Sequence, residues 1–182
     1  MILQKRRFEP FINGISPSDP MAYHMRREDK EIKDPVKLRQ VLAQAKYITI
    51  AMCRRNKPYL VSLNHGYDPE SDCIYFHSAS TGKKIDILHL NPLVWGQAII
   101  DHGFYGGSDD CRQNFASVMF EGKVTFINDP KEKLHAFVVT NEGLGVPSES
   151  LRKVLDANLA RVTVGRITID RITGKKSKEI EL

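Results

Sequence analysis

Residues 57–92, KPYLVSLNHGYDPESDCIYFHSASTGKKIDILHLNP, decide the fold. The first run alternates: Tyr59, Val61 and Leu63 share one face and Leu60, Ser62 and Asn64 the other, the two-residue period of a strand. Asp68-Pro69-Glu70-Ser71-Asp72 is turn chemistry. Cys73-Ile74-Tyr75-Phe76, β-branched and aromatic, predicts a second strand that delivers His77 and Ser78 at its end. Ser80-Thr81-Gly82-Lys83-Lys84 then leads into a helix over 85–90. A helix start leaves backbone N–H groups free and carries a partial positive charge. A hydroxyl-rich, glycine-containing turn with two ammonium groups beside it suits a phosphomonoester. The plainer reading is two solvated lysines on a connecting loop, because a single G-K-K is far less specific than a full P-loop.

Upstream, Asp34-Pro35 is a helix-start signal, and Leu38, Val41, Leu42 and Ala45 recur at spacings of three and four, predicting an amphipathic helix over 36–46. The apolar run 47–53 predicts a buried strand, and Arg54-Arg55-Asn56-Lys57 turns it into the next one. Residues 1–25, punctuated by Pro10, Gly14, Pro17 and Pro20, are expected to be an extended arm. Downstream, Asn91-Pro92 stops the short helix and 93–100 predicts a strand carrying the single tryptophan, Trp95, as a core or dimer-interface anchor. Gly103, Gly106 and Gly107 predict a loop over 101–114. A long strand over 115–128 follows, whose Gly122 marks a bulge or a close approach. Asp129-Pro130 opens a helix with Leu134, Phe137, Val138 and Asn141 inward, a second helix is expected over 148–158, and 159–172 closes the chain as a strand. Residues 177–182 read as a charged, frayed tail behind one domain, 26–176. Six strands joined by hairpins and short helices cannot make a doubly wound parallel sheet. An antiparallel sheet closed into a small barrel with helices is the economical solution, hence a mainly β class.

Composition narrows the function classes. A chain of 182 residues can bury a real core. No run of about 18 apolar residues offers a membrane span, and charges follow the opening Met-Ile-Leu too soon for a secretory leader. The net charge of +5 suits an anionic small ligand, and its scatter argues against a nucleic-acid stripe. Cys53, Cys73 and Cys111 lie far apart, with no C-x-x-C, which predicts a reducing, cytoplasmic setting without disulfides or structural zinc. The six histidines show no ligand spacing such as H-x-x-x-H, so no metal site is expected.

Several segments then fall into one known order and spacing: Arg26-Arg27-Glu28-Asp29-Lys30-Glu31-Ile32, Pro58-Tyr59-Leu60-Val61-Ser62-Leu63-Asn64, Tyr75-Phe76-His77-Ser78-Ala79, Gly82-Lys83-Lys84 and Asn91-Pro92. Ser117-Val118-Met119-Phe120-Glu121-Gly122 and Ile169-Asp170-Arg171-Ile172-Thr173-Gly174-Lys175 continue the series. Together, over about residues 24 to 176, they resemble the pyridoxamine 5′-phosphate oxidase-related FMN-binding split-barrel proteins, and most of all the 5-nitroimidazole-resistance (NimA-like) branch.

That resemblance implies a six-stranded antiparallel split barrel and a homodimer with FMN at the subunit interface. Carried over residue by residue, Gly82, Lys83 and Lys84 would hold the flavin phosphate. Val61, Ser62, Leu63 and Asn64 would lie along the ring system and ribityl chain, largely through backbone groups. His77, Ser78 and Ala79 would wall the site, and Ser117 would reach in from the partner chain. His77 is then the candidate catalytic residue, since a neutral imidazole can give or take a proton near pH 7. The bland alternative is a part-buried histidine bonded to backbone. The activity implied is FMN-dependent reduction of a small acceptor such as a nitroaromatic, with NADH or NADPH as a possible donor. A flavin-nucleotide store or sensor and a haem-binding relative are the alternatives. The oxidase proper carries a histidine in its last segment; here residues 169–177 contain none, which argues against pyridoxamine phosphate oxidation.

Overall fold

The computed structural model describes residues 25–106, 112–146 and 162–182. The expected arm (except its last residue), the helix expected over 148–158, and Gly107, Ser108 and Cys111 of the expected loop lie outside the described residues. Helix α1, Pro35–Gln44, begins where the Asp34 carboxylate accepts the Val36 N–H at 2.9 Å, with proline in the first turn, where a missing N–H costs nothing. Its apolar spacing puts Leu38, Val41, Leu42 and then Ala45 in the core. Each buried aliphatic side chain of this kind contributes roughly 1.5–3 kcal/mol.

Strands β1, Ile48–Arg54, and β2, Lys57–Leu63, form a hairpin. Arg55 (φ 51°) and Asn56 (φ 60°) are both left-handed, the type I′ turn whose twist matches paired strands. After β3, Gly66–Asp68, and β4, Cys73–Ala79, come α2, Lys83–Leu90, and the long β5, Leu93–Tyr105, and β6, Arg112–Ile127. Helix α3, Pro130–Glu142, and β7, Val162–Lys176, complete the order. All strands join one antiparallel sheet in the order β2-β1-β5-β6-β7-β4-β3. The class is mainly β, with few helices, as expected.

The sheet departs from expectation in three places. Among the described residues it has seven strands, because Gly66–Asp68, of which only Asp68 was expected in the turn and none in a strand, pairs with β4. It is open: β2 and β3 are its two edges rather than a closing pair. Those edges are nonetheless consecutive in the chain, joined only by Asn64 and His65. Two linking residues hold the ends of β2 and β3 within about 11 Å, so the sheet curls until its edges nearly meet. Finally, the segment from Asp101, expected as loop, continues as strand on both sides. A bulge between Asp101 and Phe104 absorbs Gly103, whose N–H is held by the Asp101 carboxylate at 2.8 Å.

The main core lies between the inner face of the sheet and helices α1 and α2: Ile48, Ile50, Phe76, Val118, Phe120 and Ile167 meet Val41, Leu42, Ile87 and Leu88. Strand β1 is therefore buried on one side only. A smaller cluster of Cys73, Tyr75, Ile127, Ala136 and Val164 sits under α3, whose buried positions are Ala136 and Thr140 while Leu134 faces outward. Gly122 is both bulge and close approach: the ladder shifts register between Glu121 and Gly122, and an added Cβ would meet the Thr168 carbonyl oxygen at 2.3 Å. The tail folds back: Ser177 is buried, its hydroxyl bonds the Gln113 carbonyl at 3.0 Å, and Leu182 packs on the core.

Candidate functional site

The site forms where the end of β4, the start of α2 and the open edge β2 come together. On β4, Tyr75, His77 and Ala79 share one face, and the Phe137 ring of α3 lies against His77 at 5.6 Å between centroids, tilted 44°. His77 is half-buried, and its Nδ1 is shielded from solvent with no hydrogen-bond partner. Burial first, and then the Lys84 ammonium, hold this imidazole below its usual range, so the neutral ring is favoured.

Beyond Ser78 and Ala79 the chain turns at Gly82, whose φ of 123° suits glycine and strains other residues. Gly82 caps α2 without a side-chain hydrogen bond, so no cap side chain claims the first amide groups of the helix. Asp86, exposed in the same turn, is the acidic residue there. Lys83 extends over the Tyr59 ring of β2, Nζ 4.3 Å from the centroid. Lys84 is half-buried, and burial alone pushes its pKa down. Among the described residues no carboxylate is paired with either lysine. A half-buried ammonium in that state favours an incoming anion.

The strand period divides the remaining expected residues between two faces. Val61 packs beside Tyr59 on the core side, and Leu63 is buried. Ser62 and Asn64 are exposed on the opposite face. There the Ser62 and Thr49 hydroxyls share a 2.9 Å hydrogen bond on the floor of a groove of about 630 Å³, lined also by Tyr47, Gln97 and Ile99. What links Val61 and Asn64 to the lysines is therefore the backbone of an edge strand, one of whose hydrogen-bonding sides is unpaired among the described residues. Ser117 stands apart: in β6 it pairs with Ile99 and Lys175, and it is 3% exposed.

Two participants were absent from the sequence-based set. Tyr59 carried a usable signal, being two residues from Val61 on the same face. Phe137 carried none, because its approach to His77 is made by the tertiary fold. Among the described residues no group of three or more histidine, cysteine or acidic side chains is placed to hold a metal, Cys53 and Cys73 are free thiols, and no helix is long and apolar enough to cross a membrane.

Residues 34–176 match the family model described as pyridoxamine 5′-phosphate oxidase. No curated protein sequence matches the chain. Among solved structures, a protein described as a candidate 5-nitroimidazole antibiotic resistance protein from Bacteroides thetaiotaomicron is 27% identical, with a TM-score of 0.67 over 80% of this chain and 86% of its own. A flavocytochrome from Azotobacter vinelandii (19% identity, TM-score 0.71, 88% of this chain and 75% of that one) shares the fold. So does a FAD- and haem-binding protein from Mycobacterium smegmatis (17%, 0.69, 82% and 74%). The family match takes in α1 and every strand from β1 to β7, and the chain belongs to the pyridoxamine 5′-phosphate oxidase family.

Proposed function

We propose that this chain is an FMN-binding flavoprotein that reduces a small organic acceptor such as a nitroaromatic. The observation that carries the reading is the half-buried Lys84 near His77, with neither a carboxylate on Lys84 nor a partner for His77 Nδ1 among the described residues, at a helix start without a side-chain cap against an open strand edge. These residues fit a phosphorylated flavin. Lys83, Lys84 and the first amides of α2 would hold the phosphate, with Gly82 giving access, and the free backbone edge from Val61 to Asn64 would face the ring system and ribityl chain. His77, Ser78 and Ala79 would wall the site, and His77 would exchange a proton with the bound acceptor near pH 7. A bound flavin supplies the hydride chemistry, so the protein need offer no nucleophile. Oxidation of pyridoxamine phosphate is not proposed: the last strand brings no histidine, and its Arg171 is engaged with Glu121 at 3.8 Å.

A homodimer with two such sites belongs to the same reading. Rows of outward residues cross the sheet in register, Leu60–Ala51–Trp95–Glu121 and Ser62–Thr49–Gln97–Met119. Leu60, Leu93, Trp95, Ile99 and Met119 on that face are all about half exposed or more. Exposed apolar side chains spread across this face favour a partner, and a second copy would set Ser62 and the groove around it inside the interface, with Ser117 on a neighbouring strand. Trp95, half exposed, is no core anchor. The free thiols fit a reducing, cytoplasmic setting.

The purified protein is expected to be yellow, to lose colour with NADH or NADPH and to regain it with a nitro compound. Colour without bleaching supports a flavin store or sensor instead, a red protein supports haem, and a colourless chain that binds no added FMN overturns the reading. Trp95→Glu is expected to turn a dimer into a monomer by light scattering.

A further inference from the structure

We infer that His77 takes up a proton when an anion settles on Lys84, so that the site loads its ligand and one proton together. The inference rests on the phosphate-binding reading above and adds a linkage to it. Its basis is geometric. His77 Nδ1 is sealed from solvent, and among the described residues nothing accepts a hydrogen bond from it.

The groups around His77 are few and accounted for. From α2 comes Lys84, the charge that acts on the ring, with Lys83 turned to Tyr59. From α3 comes the Phe137 ring, while the neighbouring Glu132 is bonded to Arg166 at 2.7 Å and His135 to Asp68 at 2.9 Å. From β7 comes Val164 opposite, with Arg166 two residues on held by Glu132. On β4 itself Tyr75 points to Glu132 at 3.5 Å. Thus, among the described residues, no free carboxylate balances a charge on His77, and one cation opposes it.

A phosphomonoester brings about −1.5 to −2 charge and acceptor oxygens. Seated on Lys84, it cancels the opposing cation and adds an opposite charge of its own. Both effects favour the imidazolium over the neutral ring. The proton comes from solvent, no bond to carbon forms or breaks, and no electron moves. The loaded site would then present a cationic His77 to whatever lies beside it.

Calorimetric titration of FMN into the full-length protein, in two phosphate-free buffers of different protonation enthalpy near pH 6.5, counts the protons exchanged. The wild type is expected to take up more protons per FMN than His77→Asn, by up to about half a proton, because a group near its midpoint gains a fraction of a proton. Comparison with the variant removes the phosphate's own ionisation from the count. Equal proton counts in the two proteins overturn the inference and leave FMN binding intact; no FMN binding by wild type overturns both. Nuclear magnetic resonance of the wild-type protein gives a second measurement independent of mutation. The His77 ring-proton midpoint is expected to rise by about one pH unit on adding inorganic phosphate, and an unmoved midpoint overturns the inference.

Discussion

The two edges of the sheet are built in opposite ways. Edge β3 is three residues long, and each of its positions, with the residue before it, is tied down. His65 bonds the Leu42 carbonyl of α1 at 2.8 Å. Gly66 lies so close to α3 that a Cβ would sit 2.4 Å from the Val139 carbonyl oxygen. Tyr67 donates to Asp72 at 2.8 Å, where Arg39 of α1 grips the same carboxylate with two nitrogens. Asp68, buried, accepts from His135 of α3 at 2.9 Å. Edge β2 runs for seven residues, alternates between half-buried and exposed, and has the Lys83 ammonium poised above its Tyr59 ring. An edge that only has to be stable is covered, because unpaired backbone is a liability. An edge that no described strand covers, beside two lysines with no carboxylate partner among the described residues, suits the ligand proposed above.

Breaking the covered edge has the largest expected effect. Gly66→Ala drives a methyl into backbone that cannot move aside, and a loss of about 3 kcal/mol is expected in urea unfolding. On the open edge the same kind of insult moves binding instead. Lys83→Ala with Lys84→Ala is expected to lower FMN affinity about a hundredfold, near 2.7 kcal/mol, with unfolding little changed and riboflavin affinity untouched. A double variant that keeps full FMN affinity in a fluorescence titration removes the phosphate assignment. Asp72→Asn returns to the covered edge. It weakens a partly solvent-exposed Arg39 pair and a tyrosine bond, so a loss of about 1 kcal/mol is expected, shrinking in salt.

The smallest effect separates the edges by pH. Burial holds His65, on the covered side, and His77, on the open side, below the ordinary imidazole range. For both, the unfolded chain binds more protons just below pH about 6.5, so stability is full above that value and falls as pH drops through it. Phosphate is expected to flatten the part due to His77 and leave that of His65 unchanged, measured as the pH dependence of thermal unfolding with and without it. Asp72, held low chiefly by Arg39, loses its contribution only at more acid pH.

What was legible in the sequence was local. Asp34-Pro35 and the spacing of Leu38, Val41 and Leu42 specify α1 without help from elsewhere, and the alternation from Tyr59 to Asn64 appears unchanged in the burial of β2. Gly82-Lys83-Lys84 announced the helix start two residues earlier than its apolar run suggested. Illegible features depended on partners distant in sequence. The three residues of β3 are too few to show a strand period until β4 pairs with them. Glycines after Asp101 resemble a loop until β6 offers a register for a bulge. Leu134 points outward because α3 turns Ala136 and Thr140 to the sheet, and nothing in its own spacing says so. At the site, the lysines and His77 could be named in advance. The approach of Phe137 could not, and the opposite facing of Ser62 follows from the period only once the inner face is known.

The link of Asn64 and His65 between the two edge strands has one more consequence. It works as the pin of a hinge: its length bounds how far the mouth of the curled sheet can gape, and each residue inserted there would let the lips part by roughly another 3.4 Å. Since His65 is locked to α1, slack could enter only at Asn64. That single position is then a dial for the bulk of what the mouth admits.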